Sequence, residues 1–160
     1  MGNKRRRPKR KHVYLHITVI AEDSPMKHKV MVIEDNEQNL YLITFLLEHN
    51  GYEVIQARDG STAIQIAMKT NPDLILLDIQ LPETDGYAVA RRFRSESEFA
   101  DVPIVAVTSY AMVGDREKCI EAGCTGYIEK PIDPDTFIPE LEKYLLISRK
   151  DIDKKDTDRL

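Results

Sequence analysis

Three unbroken apolar tetrads limit most tightly what this chain can fold into: Val30-Met31-Val32-Ile33, Leu74-Ile75-Leu76-Leu77 and Ile104-Val105-Ala106-Val107. A strand with one wet face alternates apolar and polar residues, so four apolar residues in a row mark strands covered on both faces, as in a parallel sheet. Tyr52 to Ala57 (YEVIQA) is less purely apolar and suits an edge, and Gly126-Tyr127-Ile128 is a fifth, very short candidate. Helical patterns separate these runs. Leu40, Ile43, Phe45, Leu46 and Leu47 read as one helix face closed by Gly51 at C′. Ala63, Ile64, Ala67 and Met68 recur at helical spacing before Asn71-Pro72, Tyr87 to Phe93 comes after the turn residues Asp85-Gly86, and Arg116 to Ala122 is stopped by Gly123. Asp133-Pro134, an N-cap with proline at N1, opens a fifth helix with Phe137, Leu141, Tyr144 and Leu145 inward. Five repeats of strand then helix predict an α/β doubly wound parallel sheet with right-handed crossovers.

With 160 residues, 42% of them apolar, there is material for one core of ordinary size, which excludes a wholly disordered chain. No stretch approaches the ~18 apolar residues of a membrane span. Cys119 and Cys124 cannot build a disulfide scaffold and lack partners at zinc spacing, so they read as reduced thiols of a cytoplasmic protein. The formal net charge of −4 hides a split: residues 1–27 carry eight Lys/Arg against two acids, and residues 28–160 carry fifteen against twenty-five. Residues 1–27 are therefore read as a basic extension, 28–147 as the domain, and 148–160 (SRKDIDKKDTDRL) as a charged tail. Within the extension, His12 to Ile20 is a short β-like run. Its seven Lys/Arg in positions 4–11 suit nucleic-acid phosphates or an acidic membrane surface. The competing reading is a start at Met26, with residues 1–25 absent from the native protein; the completeness of the domain from Lys29 favours it.

The functional clue lies in the residues just past each apolar run. Glu34 and Asp35 come after Ile33, Asp78 after Leu77, Thr108 after Val107, and Glu129-Lys130 after Ile128. Open α/β sheets bind ligands beyond the carboxyl ends of their strands. Four strands thus deliver the carboxylates of Glu34, Asp35 and Asp78, a hydroxyl and an ammonium to one rim. Hard oxygens with open positions suit Mg²⁺, which often shares its shell with phosphate. A carboxylate can accept a phosphoryl group as an acyl phosphate, and Lys130 can neutralise a phosphoryl oxygen. Asp78 is the central candidate, since it ends the most apolar run.

The pieces VMVIEDNEQN, LILLDIQLPETDG, IVAVTSYA and GYIEKP stand in the order and near the spacing of a known family. Over residues 28–147 the chain resembles the CheY-like receiver domain of two-component response regulators, most of all stand-alone regulators of the cell-cycle type and receivers of hybrid kinases. The resemblance implies a flavodoxin-like fold, five parallel strands in order 2-1-3-4-5 with five helices. It makes Asp78 the phospho-acceptor, Asp35 the direct Mg²⁺ ligand, Glu34 its acidic partner and the Gln80 backbone carbonyl a further ligand. It gives Lys130 to the phosphoryl group, a cis bond to Pro131, and the switch roles to Thr108 and Tyr127. It also implies a histidine kinase or histidine phosphotransfer protein as donor, and a downstream protein reading the face of the fourth helix, fifth strand and fifth helix. The protein would be a monomer or a phosphorylation-dependent dimer, and would catalyse only its own phosphotransfer and dephosphorylation. Thr84 stands where the family turn often has Met, which should change packing rather than chemistry. Tyr110, two residues after Thr108, is expected to shield the acyl phosphate from water.

Plainer readings exist for the same residues. Glu34, Asp35 or Asn36 could cap the first helix, Thr108 the fourth, and Tyr127 could be a partly exposed core aromatic. A phosphatase of the haloacid dehalogenase class also uses an aspartyl phosphate, but wants an acid two residues on, where Gln80 stands. A regulator tethered to nucleic acid by its basic extension is the third reading. With thirteen residues after Ile147, no effector module is expected there.

Overall fold

The computed structural model describes residues 27–109 and 112–146. The run His12 to Ile20, both charged ends and Tyr110 lie outside the described residues. Five strands, β1 Lys29–Ile33, β2 Glu53–Ala57, β3 Leu74–Asp78, β4 Ile104–Thr108 and β5 Gly126–Glu129, form one parallel sheet in the order β2-β1-β3-β4-β5. The helices between them are α1 Glu37–His49, α2 Gly60–Thr70, α3 Gly86–Ser95 and α4 Asp115–Glu121, and the backbone is helical again over 137–146 (α5). This is the doubly wound arrangement that the tetrads and the family pattern predict.

The tetrads are unbroken because each strand feeds two cores. Met31, Ile33, Ile75, Leu77, Ile104 and Ala106 pack with α2, α3 and α4. Val30, Val32, Leu74, Leu76, Val105 and Val107 pack with α1 and α5. Alternate residues point to opposite sheet faces, so both sets must be apolar.

Helix boundaries obey local chemistry. Asn36 caps α1 by accepting from the Asn39 N–H at 3.0 Å, and Asp59 caps α2 through Thr62 at 2.8 Å. Gly51 lies just past α1 with φ +85, the left-handed conformation expected at C′. Asp133 receives the Asp135 N–H on its side chain and the Phe137 N–H on its carbonyl, both at 2.9 Å, starting the turn into α5.

Two apolar residues fall on the wrong side of their helices. Phe45 is 53% exposed, although the apolar pattern groups it with Leu40, Ile43, Leu46 and Leu47, which are buried. At about 100° per residue, Phe45 projects roughly opposite the Ile43–Leu47 stripe. On α2, Ala63 and Ala67 meet the sheet while Met68 is 41% exposed. A short 3₁₀ turn, Ser97–Phe99, has no counterpart in the sequence pattern; it brings Phe99 edge-on to Phe93 with ring centroids 5.2 Å apart.

Candidate functional site

Strand register builds the site. Ile33 pairs with Leu77, so Glu34 and Asp78 emerge side by side one residue later. Asp78 pairs with Val107 and Thr108 with Glu129, which sets the hydroxyl and then Lys130 along the same edge. Two hydrogen bonds carry the alignment past the strand ends: Glu34 N–H to the Ala57 carbonyl at 3.1 Å and Lys130 N–H to the Thr108 carbonyl at 2.9 Å. Glu34, Asp78 and Thr108 are the buried polar residues of the described core, and Asp35 beside them is half-buried.

Lys130 closes the cluster. Its Nζ lies 2.8 Å from Glu34 Oε2 and 3.0 Å from Asp78 Oδ2, and the three side chains are nearly out of solvent. The remaining oxygens are also engaged: Glu34 Oε1 accepts from Asn36 N–H at 3.0 Å and Asp78 Oδ1 from Gln80 N–H at 2.9 Å. Among the described residues no buried side-chain polar atom lacks a partner. Burial pushes the Glu34 carboxyl above its ordinary value, more than the hydrogen bonds from Lys130 and Asn36 draw it back, and the Asp78 charge adds to the rise. Burial alone would pull the Lys130 ammonium down. Its hydrogen bonds to Glu34 and Asp78 outweigh that and hold it above the ordinary lysine value.

Oxygens of Glu34, Asp35 and Asp78 lie within 4.8 Å of one another. Three carboxylates face one ammonium, so the cluster carries excess negative charge on hard donors, a set suited to Mg²⁺. The plainer readings of these residues fare unevenly: those for Asn36 and Tyr127 hold, and those that make Asp35 or Thr108 a helix cap do not. Asn36 does the capping of α1, leaving Asp35 to the rim, and α4 is preceded by Gly114 rather than by Thr108. Tyr127 is half-buried against the α2–α4 core. Its other side borders an open cleft of about 480 Å³ between β5 and α5, lined also by Arg116, Phe137, Lys143 and Tyr144. The Lys130–Pro131 peptide is cis. Cys119 and Cys124 are buried free thiols, and burial pushes the Cys124 thiol up to about 12.

Two contributors have no clear mark in the sequence. Gly86 donates to the Ile79 carbonyl at 3.2 Å, and a Cβ there would stand 2.5 Å from Ile79 Cα and 2.8 Å from the Asp78 carbonyl. Only glycine lets α3 start this close to the loop after Asp78; the sequence marks it simply as a turn residue. Arg94 reaches from α3 to the carbonyls of Phe99, Val102 and Gly123 at 2.6–2.8 Å, tying α3 to the turn before β5. A helix-face arginine carries no sequence sign of such a role.

A doubly wound sheet with a buried Asp–Lys pair and clustered acids at its carboxyl rim defines a phospho-accepting signalling domain. The profile of the response regulator receiver domain matches residues 30–142, and the chain belongs to that family. It is 44% identical over 120 residues to the polar-differentiation response regulator DivK of Brucella ovis, and equally to that of Brucella suis biovar 1, covering 75% of this chain and 98% of theirs. Those relatives are thus receivers with almost nothing added. Among solved structures, the receiver domain of the sensor histidine kinase PA1611 from Pseudomonas aeruginosa PAO1 matches with TM-score 0.69 and 34% identity, over 74% of this chain and 98% of that one. Its active-site cleft holds a coordinated magnesium ion. The chemotaxis protein CheY4 of Vibrio cholerae matches with TM-score 0.71 and 27% identity over the same shares. The family membership disfavours the phosphatase alternative. No helix among the described residues is long and apolar enough to cross a membrane.

Proposed function

We propose that this receiver, occupying residues 28–147 and acting in the cytoplasm, takes a phosphoryl group onto Asp78 from a phosphohistidine of a kinase or phosphotransfer protein. The observation that carries the reading is Lys130 Nζ held between Glu34 and Asp78 beside a third carboxylate. A carboxylate oxygen of Asp78 attacks phosphorus, the P–N bond breaks, and the imidazole leaves with its electron pair. Lys130 is placed to pass from Asp78 to a phosphoryl oxygen, offsetting the charge that the acceptor gains. Thr108, one strand over, offers its hydroxyl to a second phosphoryl oxygen. Asp35, Asp78 and the Gln80 carbonyl would hold Mg²⁺, with Glu34 supporting it from the side; the ion supplies positive charge to the transferring phosphoryl oxygens. Water later cleaves the acyl phosphate, so the protein catalyses its own reset.

Output depends on the neighbours of the rim. Movement of Thr108 toward the phosphoryl group frees space for Tyr127 to turn inward, and Tyr127 borders the α4–β5–α5 cleft where a downstream protein would read the change. The test is labelling with phosphoramidate and Mg²⁺, read on a phosphate-affinity gel. Wild type should gain one phosphoryl group and Asp78→Asn none; equal labelling of both overturns the assignment.

A further inference from the structure

Helix α4 ends on a cap that brings the two cysteines of the chain together. Ala122 is its C-cap, and Gly123 follows at C′ in the left-handed conformation, φ +101. The Gly123 N–H donates to the Ile120 carbonyl and the Cys124 N–H to the Cys119 carbonyl, both at 2.9 Å. These two bonds define a Schellman motif, in which residue C″ packs on residue C3; here C3 is Cys119 and C″ is Cys124. A bond of that length from one backbone to the other also limits their Cα separation to about 6.8 Å, within the range a disulfide spans. Both side chains are free thiols in the same buried apolar cluster.

Burial keeps the pair unreactive while α4 is seated. Cys119 is 1% exposed and Cys124 5%, and burial raises both thiols, with Cys119 adding to the rise at Cys124. A thiol held above its ordinary value carries little thiolate, the form that attacks. The helix itself is held lightly. It has seven residues, Cys119 is its one buried residue, and no side chain caps its start at Gly114. A helix that short is marginal apart from its packing, so α4 opens locally at low cost, and opening uncovers both thiols at once. The reduced thiols expected from the sequence are the resting form.

We infer that Cys119 and Cys124 form a reversible disulfide across the C-terminal cap of α4, made by exchange with a small-molecule disulfide. One thiolate attacks a sulfur of the small disulfide, whose S–S bond breaks and releases a small thiol. The second thiolate then attacks the mixed disulfide at the protein sulfur and releases the other small thiol. The two cysteine protons end on the two released thiols; the protein pair loses two electrons and the small disulfide gains them. The bridge ties C3 to C″, so the last turn of α4 cannot unwind until a reductant opens it. The probe is oxidised glutathione on the full chain, with remaining thiols alkylated and counted by mass spectrometry. Both thiols should disappear together, leaving a monomer lighter by two hydrogens, free of glutathione, in which residues 119 and 124 are cross-linked. Amide exchange over 120–124 should slow at least about tenfold on oxidation. Two thiols surviving in a buffer that fully oxidises an open dithiol peptide overturn the inference, as does a stable glutathione adduct or a disulfide between two copies. Amide exchange over 120–124 that oxidation leaves unchanged overturns the lock on α4.

Discussion

Both ends of β1 and β3 set carboxylates against nitrogen donors and put them to opposite use. At the amino end, the Asp73 carboxylate, 48% exposed, accepts the Lys29 backbone N–H at 2.7 Å and lies 3.6 Å from His28. At the carboxyl end, Glu34 and Asp78 share Lys130 almost out of solvent. An exposed pair is screened by water and contributes little, whereas a buried one is costly to leave half-made. Burial, rather than charge type, makes one end a site and the other an ordinary strand end.

Removing one partner at each end should show the difference at its largest. Lys130→Met leaves two buried carboxylates without their cation and should cost about 3–5 kcal/mol in urea unfolding without metal. Added Mg²⁺ should recover part of that, because a cation again faces the acids. Asp73→Asn keeps an oxygen acceptor in an exposed place and should stay within about 1 kcal/mol. Comparable losses from the two would erase the distinction.

Glycines sharpen it further. Gly86→Ala drives a methyl group into the backbone of Asp78 and Ile79, so about 1–3 kcal/mol should be lost, along with much of the phosphoramidate labelling rate. Gly51, at the far end, has open space around its Cβ position but a φ of +85. Gly51→Ala should cost about 1 kcal/mol from backbone conformation alone and leave labelling untouched. A labelling defect in Gly51→Ala would show that the two ends are coupled.

The smallest effect is that of pH on the rim. Glu34 titrates above its ordinary value of 4.5, so without metal the folded state loses stability as pH rises from there through the raised pKa. Lys130 titrates above its ordinary 10.5, so its stabilisation is complete below that value and disappears as pH climbs through the folded pKa. Mg²⁺ should therefore bind more weakly as acid protonates Glu34, and binding in that window should release a proton. Calorimetry in two buffers of different ionisation enthalpy measures the release; Glu34→Gln should abolish it. Proton release persisting in Glu34→Gln would place the titration elsewhere.

Much of the rim is legible in the sequence, for a local reason. A residue directly after a buried strand must emerge at the sheet's carboxyl edge, so counting alone places Glu34, Asp35, Asp78, Thr108 and Lys130. Helix faces are less legible where apolar residues crowd: five within Leu40–Leu47 cannot all point inward, and composition does not say that Phe45 is the one left out. Arg94 is illegible because its partners are backbone carbonyls up to 29 residues away, and carbonyls have no sequence signature.

By itself the sequence determined the elements, the two-faced burial of the strands and the kinds of side chain at the rim, since these depend on near neighbours and on period. Only the tertiary structure decided that Lys130 meets Glu34, 96 residues before it, at 2.8 Å, that Asn36 rather than Asp35 serves the helix, and that Tyr41, Phe45 and His49 stack in the open. Those outcomes depend on strand register and on which helix face the sheet claims, and both are settled by packing between segments distant in the chain.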